Sequence, residues 1–224
     1  MPRTRITAGC HPHNARLFTA EAESQLRKLL ADRRVNAVGE IGLDYHYDLS
    51  PRSQQREVFR RQLRIAHEAG LPVALHIREA HDEALAILRE EGFPEAGTVL
   101  HCCSLGPGQI EPWIEAGCYI AYGGVVTFAK SDEAREGAKL VPADRLLLET
   151  DAPYMAPVPL RGSVCEPSQV MLSAECLAAV RGCNTADEQA GLLKAVRANA
   201  EQLLNRPPTP WQKAQAEAAK AQVQ

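Results

Sequence analysis

The 224-residue sequence contains no apolar run long enough for the core of a signal peptide or for a membrane span: Met1-Pro2-Arg3-Thr4-Arg5 leads straight into Ile6-Thr7-Ala8-Gly9. A soluble, unexported, cytoplasmic protein is the expectation. Positive charge is also in short supply, with 25 Lys and Arg against 28 Asp and Glu for a formal net charge of −3. That balance excludes a global field able to hold nucleic acid by counterion release, so a polyanionic substrate would need local positive charge or a metal ion. The seven cysteines, at positions 10, 102, 103, 118, 165, 176 and 183, show no paired CxxC spacing. They exclude a zinc knuckle or a dithiol redox motif and read as reduced thiols. No internal repeat and no low-complexity stretch interrupts the domain.

What the sequence does have is alternation. Short apolar segments at 5–10, 37–43, 72–77, 98–101, 118–123 and 146–150 are each followed by a helix-length stretch, as a parallel sheet with crossover helices requires. Each is rich in Val, Ile, Leu or Ala, in the manner of strands buried on both faces. The clearest helix spans 51–69, with Ser50 as N-cap, Pro51 at the first position, Phe59, Leu63 and Ala66 on one face, and Gly70 as terminator. Its polar face carries Arg56, Arg60 and Arg64, which read either as a solvated surface or as a track for phosphates. Further helices fit 20–34, 79–91, 109–116, 133–140 and 167–180. A last one follows Thr185, with Glu188 in capping-box position and Leu192, Leu193, Val196 and Leu203 turned inward. Residues 1–205 therefore form one α/β domain, and the Pro-rich segment from Arg206 leads into a polar, frayed tail.

Four strand ends share one chemical theme. Glu40, His76, His101 and Asp151 each stand where an apolar run finishes, the position at which α/β barrels place their active sites. Imidazole and carboxylate together make the ligand set for Zn²⁺, Mn²⁺ or Fe²⁺, and carboxylates also hold Mg²⁺. Cys102 and Cys103 follow His101 without ligand spacing and read as packing residues.

Taken together, five segments resemble the TatD deoxyribonuclease family of amidohydrolase-like barrels: Gly9-Cys10-His11-Pro12-His13, Gly39-Glu40-Ile41-Gly42-Leu43-Asp44-Tyr45, Leu75-His76-Ile77-Arg78-Glu79-Ala80, Leu100-His101-Cys102-Cys103-Ser104 and Leu148-Glu149-Thr150-Asp151-Ala152-Pro153-Tyr154. The resemblance implies a TIM-type (β/α)8 barrel, here about six βα units, that cleaves phosphodiester bonds in DNA as a 3′ exonuclease. It also implies two divalent ions, Mg, Mn or Zn. Glu40 would bridge them, His76 and His101 would complete one ion's ligands, and Asp151 would bind the other and orient the attacking water. His11, Asp44, Arg78 and Glu149 are then candidates for substrate binding or for positioning the ligands. Arg78 either clamps a phosphate or pairs with a carboxylate, and Asp44 and Glu149 either orient ligands or are ordinary surface acids.

The sequence departs from that family in two places. The HxH pair of the family's first strand is absent, and Pro12 between His11 and His13 argues for a turn rather than a substitute pair, leaving His13 a structural role. One full and one partial metal site are expected as a result. On this reading a complete barrel would be a monomer, while a chain lacking two strand–helix units would be unstable or would dimerise over the gap. The second departure is Cys165 before Glu166-Pro167, where the family has Asn. Two rival readings stand beside the nuclease: a hydrolase of esters or amides on the same barrel, and a non-catalytic remnant.

Overall fold

The computed structural model of the chain describes residues 4–221. They form two compact units, 4–99 with 202–221, and Leu100–Glu201. In the first unit the elements run β1 (Ile6–Ala8), α1 (Ala20–Leu30), β2 (Val35–Asp44), α2 (Arg52–Ala69), β3 (Val73–Arg78) and α3 (His81–Glu91), and β4 (Thr98–Leu100) begins there. β1 pairs with β2, and β2 with β3, in parallel register. The expected alternation of short apolar strands and amphipathic helices is borne out.

The core of this unit follows from the sequence pattern. Val38, Ile41, Leu43 and Leu75 from the strands and Phe59, Leu63 and Ala66 from α2 are wholly buried. Each large apolar side chain removed from water contributes about 1.5–3 kcal/mol. β1 differs from the expected buried strand. Its Ile6 is 41% exposed, because β1 has a registered partner in β2 on one side only among the described strands.

β2 is longer than its apolar stretch suggested, and it is irregular where it matters. Gly39 is registered with Ala74 and Ile41 with Leu75, which makes Glu40 the extra residue of a bulge. Bulges bend a strand and re-aim a side chain. At Gly42 the backbone has φ +143°, and a Cβ there would stand 2.2 Å from the His76 carbonyl oxygen, so only glycine lets β2 approach β3 at this point.

α2 starts one residue later than predicted. Pro51 is its N-cap without a side-chain hydrogen bond, while the Ser50 hydroxyl donates to the His13 carbonyl and accepts from the Arg16 N–H. The helix ends as expected at Gly70, φ +64°.

The segment expected to fray is a helix, Pro210–Ala221; the Thr209 hydroxyl accepts from the Gln212 N–H at its first turn, and the buried Gln212 amide donates to the carbonyls of Leu30, Asp32 and Val35. The Arg206 guanidinium adds a bond to the Ala96 carbonyl. Sequence polarity predicted solvent here because it does not register that one buried amide can bond several carbonyls around the turn between α1 and β2.

The second unit takes over at Leu100 of β4 and continues with α4 (Pro107–Glu115), β5 (Tyr119–Tyr122), α5 (Asp132–Leu140), β6 (Leu146–Leu148), α6 (Val170–Val180) and most of α7 (Ala186–Leu204). β5 and β6 are parallel, with Ile120 opposite Leu146, and Trp113, Ile120, Tyr122, Leu146 and Leu177 are fully buried. The capping box at the start of α7 forms as predicted: the Thr185 hydroxyl accepts from the Glu188 N–H, and the Glu188 carboxylate accepts from the N–H groups of Asn184 and Thr185. Leu192, Val196 and Leu203 are buried, but Leu193 is 37% exposed and does not join them. Successive helical residues lie about 100° apart, so only one of two adjacent leucines points fully inward. No helix among the described residues is long and apolar enough to cross a membrane.

Candidate active site

The first unit gathers Glu40, His76, His11, Asp44 and His13. Glu40 does not end its strand, as the sequence suggested, but sits at the bulge, and β2 runs on to Asp44. His76 lies two residues before the end of β3. The Glu40 Oε2 atom is 3.9 Å from His76 Nδ1 and 3.9 Å from His11 Nε2. That separation exceeds a hydrogen bond, but two donors each about 2.1 Å from one ion can stand up to about 4 Å apart.

Asp44 is the hub. Its side chain is wholly buried, which removes the reading of an ordinary surface acid. Oδ1 accepts from the N–H groups of His46 and Tyr47 at 3.1 and 2.8 Å, and Oδ2 accepts from Nε2 of both His13 and His76 at 2.9 Å. Burial pushes its carboxyl up, but the Tyr47 N–H and the two imidazoles outweigh burial and hold it at about 2. Asp44 is therefore an ionised acceptor at neutral pH, and both rings must carry their proton on Nε2. For His76 this leaves the lone pair on Nδ1, the nitrogen that faces Glu40.

The same bookkeeping separates His11 from the ligands. His11 Nδ1 accepts from the His13 backbone N–H at 3.2 Å, so the neutral ring keeps its proton on Nε2, toward Glu40. Nitrogen atoms of His11, His13 and His76 lie close enough together to suggest a three-histidine metal cluster. Hydrogen bonding argues against that cluster at His11, whose Nδ1 lone pair is taken by the His13 N–H and whose Nε2 carries the proton. His11 is better placed as a donor to substrate, and His13, expected to be structural, helps to anchor the carboxylate that sets the His76 tautomer.

Two buried glutamines that the sequence reading passed over place this hub. Gln55 Oε1 accepts from the Asp44 N–H, and its amide donates to the carbonyls of Asp44 and Ser50. Gln62 grips Cys10 in the same two-way fashion, at 2.6 and 3.0 Å, directly before His11. They lie on one face of α2, seven residues and so about two turns apart. Their spacing with Phe59 was the available signal, hidden because polar residues were assigned to the outside.

The arginine stripe of α2 is not a phosphate track. Arg56 lies 3.5 Å from Glu83, Arg60 pairs with Glu90 and Glu91, and Arg64 stands 2.8 Å from Glu91, so α3 already balances their charge. Arg78 differs. It is exposed, has no carboxylate partner among the described residues, and lies over the Tyr47 ring at 4.8 Å.

In the second unit His101 follows the end of β4, and its Nδ1 is 3.4 Å from Glu149 Oε2. Glu149 thus faces the histidine, where it can fix the orientation of the ring. Asp151 stands three residues beyond β6 at φ +58°, in a turn closed by the Tyr154 N–H on its carbonyl at 2.8 Å. Asp tolerates this left-handed conformation better than most residues. Cys102, after His101, and Glu79, after the end of β3, share it, at φ +48° and +54°. Such strained residues concentrate at functional sites. Cys103 is buried and its thiol is pushed up to about 11 by burial, in keeping with packing. Cys165 is buried with its Sγ 3.7 Å from the Thr150 carbonyl, next to Asp151 in the chain.

With this geometry in view, comparison with known proteins is direct. The TatD related DNase family matches residues 1–205. An uncharacterized metal-dependent hydrolase of Bacillus subtilis, YabD, is 40% identical over 173 residues, covering 77% of this chain and 68% of the relative. The 3′-5′ ssDNA/RNA exonuclease TatD of Erwinia billingiae is 37% identical over 206 residues, covering 90% of this chain and 77% of its own. Among solved structures, the TatD homolog YjjV from Escherichia coli K12 superposes with a TM-score of 0.82 at 30% identity, over 91% of this chain and 77% of that one.

Proposed function

The chain belongs to the TatD related DNase family and is a metal-dependent hydrolase with that family's α/β barrel-type fold, and on that premise we propose that it cleaves phosphodiester bonds of single-stranded DNA from the 3′ end. The observation that carries this reading is the Glu40 and His76 pair, with Asp44 forcing the His76 lone pair onto the nitrogen that faces Glu40. The Erwinia relative is named as an exonuclease of single-stranded DNA and RNA, which supports the choice of substrate.

The donor set fits a divalent ion: ionised carboxylate and neutral imidazole suit Mg²⁺, Mn²⁺ or Zn²⁺. In this proposal Glu40 and His76 would hold an ion in the first unit, and His101 and Asp151 are the candidate ligands of the second. When bound, such an ion polarises a phosphoryl oxygen and acidifies water. The chain's own residues do the rest. His11 turns an N–H toward the Glu40 side, where a phosphate oxygen can accept it. Arg78 offers its planar fork to a phosphate. Asp44 and Glu149 fix the rings of His76 and His101, and Asp151 accepts a proton from water. Local cations replace the global positive field that the sequence lacks.

The test is Mg²⁺- and Mn²⁺-dependent degradation of single-stranded DNA labelled at either end, with Glu40→Gln as control and folding checked by circular dichroism. Loss of 3′ nucleotides that stops on chelation and in Glu40→Gln is the expected result. An intact strand in the presence of a folded, metal-loaded chain would overturn the proposal.

A further inference from the structure

Tyr47 has no role in the chemistry above, yet it is held as firmly as the residues that do. Its backbone N–H donates to Asp44 Oδ1 at 2.8 Å, and its ring meets the His13 ring edge-on at 5.4 Å and the His46 ring at 4.9 Å. Arg78 Cζ lies 4.8 Å from the ring centroid. Despite these contacts, Tyr47 is 55% exposed. A fixed, solvent-facing aromatic ring is a stacking platform that loses little conformational entropy on binding. The arginine beside it is exposed too, and whereas Arg56, Arg60 and Arg64 of α2 are neutralised by Glu83, Glu90 and Glu91, Arg78 keeps its charge unbalanced by any carboxylate among the described residues. Both are joined to the proposed ligands through short paths: Tyr47 through Asp44 to His76, and Arg78 through two residues of β3 to the same histidine.

We propose that Tyr47 and Arg78 form a nucleotide subsite, in which the Tyr47 ring stacks on a base of single-stranded nucleic acid and the Arg78 guanidinium holds a neighbouring phosphate. The subsite rests on the nuclease reading and deepens it. Stacking is tolerant of sequence because every base has a π-face, so the subsite sets how a strand is held rather than which strand is chosen.

The experiment is fluorescence anisotropy with a labelled ten-nucleotide phosphorothioate oligothymidine, which resists cleavage, run beside hydrolysis of the unmodified strand. Loss of one base stack corresponds to about a tenfold weaker Kd for Tyr47→Leu, while Tyr47→Phe, which keeps the ring, stays within about twofold. Arg78→Gln lowers the slope of log Kd against log salt by about 0.7, the value for one phosphate on a single strand, and Tyr47→Leu leaves that slope unchanged. A merely structural role is separated by abasic substitution: at one position near the 3′ end, removing the base abolishes the penalty of Tyr47→Leu. Equal affinity of folded Tyr47→Leu and wild type, or a penalty that survives every abasic substitution, overturns the subsite while wild-type hydrolysis leaves the nuclease reading standing. A wild-type chain that neither binds nor cleaves overturns both.

Discussion

Asp44→Asn isolates the carboxylate's effect on the tautomer from its effect on packing, because the side chain keeps its shape. In the native chain one buried carboxylate accepts four hydrogen bonds, two from backbone N–H groups and two from imidazoles. The amide can keep its oxygen on the two backbone donors and turn its NH₂ to His13 and His76, whose rings must then accept on Nε2. Four charge-assisted bonds of about 1.5–3 kcal/mol each give way to neutral ones of about 0.5–1.5 kcal/mol, a net loss of about 4–6 kcal/mol in stability. The larger consequence is chemical. His76 now carries its proton on Nδ1, facing Glu40, and cannot offer a lone pair there. Orienting partners of this kind are worth about 10- to 100-fold in metal affinity. Calorimetric titration with Mn²⁺ measures that loss, and ¹⁵N shifts of the imidazoles report the tautomer directly. A folded Asp44→Asn protein that binds Mn²⁺ within about twofold of wild type would refute the tautomer argument.

Two further outcomes follow from the same reasoning. Gln212→Ala strips the carbonyls of Leu30, Asp32 and Val35 of their shared donor and is expected to cost about 2–3 kcal/mol in a urea melt; no change would return the C-terminal segment to the frayed tail its composition suggested. His81 is held down to about 4 by burial, so in acid the unfolded chain takes up its proton first, near 6.5. Stability contributed by His81 is complete above about pH 6.5, declines by up to about 3 kcal/mol toward pH 4 and levels off below it. His81→Gln should lose that slope in melts across pH 4–7, and an unchanged slope would assign it to another group.

The legible part of the molecule was whatever depends on neighbours in the chain. Strand positions, the α2 terminator at Gly70 and the capping box of Thr185 and Glu188 are local, and each formed as the residues indicated. Glu40, His76, His101 and Asp151 stood out because apolar runs mark strands, although β2 and β3 run on past Glu40 and His76 and Asp151 stands three residues beyond β6. Their orientation was not, because it depends on partners far away in sequence: Asp44 reaches His13 across 31 residues and His76 across 32. Gln55, Gln62 and Gln212 were missed for a different reason. A pattern of apolar-in and polar-out has no place for a buried amide, and all three bond backbone groups at element ends and turns. The bulge at Glu40 was equally silent, since it is a property of the register between two strands.

Gln55 and Gln62 also bear on how this molecule can change. Each holds a different loop, one at the end of β2 and the other just before His11, and both are mounted on the same stiff rod. A single residue inserted between them would swing one about 100° away from the other and release its loop. Substitutions on the outer face of α2 leave this arrangement alone. Changes in length between the two glutamines do not, so that interval works as a gauge block, and lineages that keep the site should vary the helix in letters but not in count.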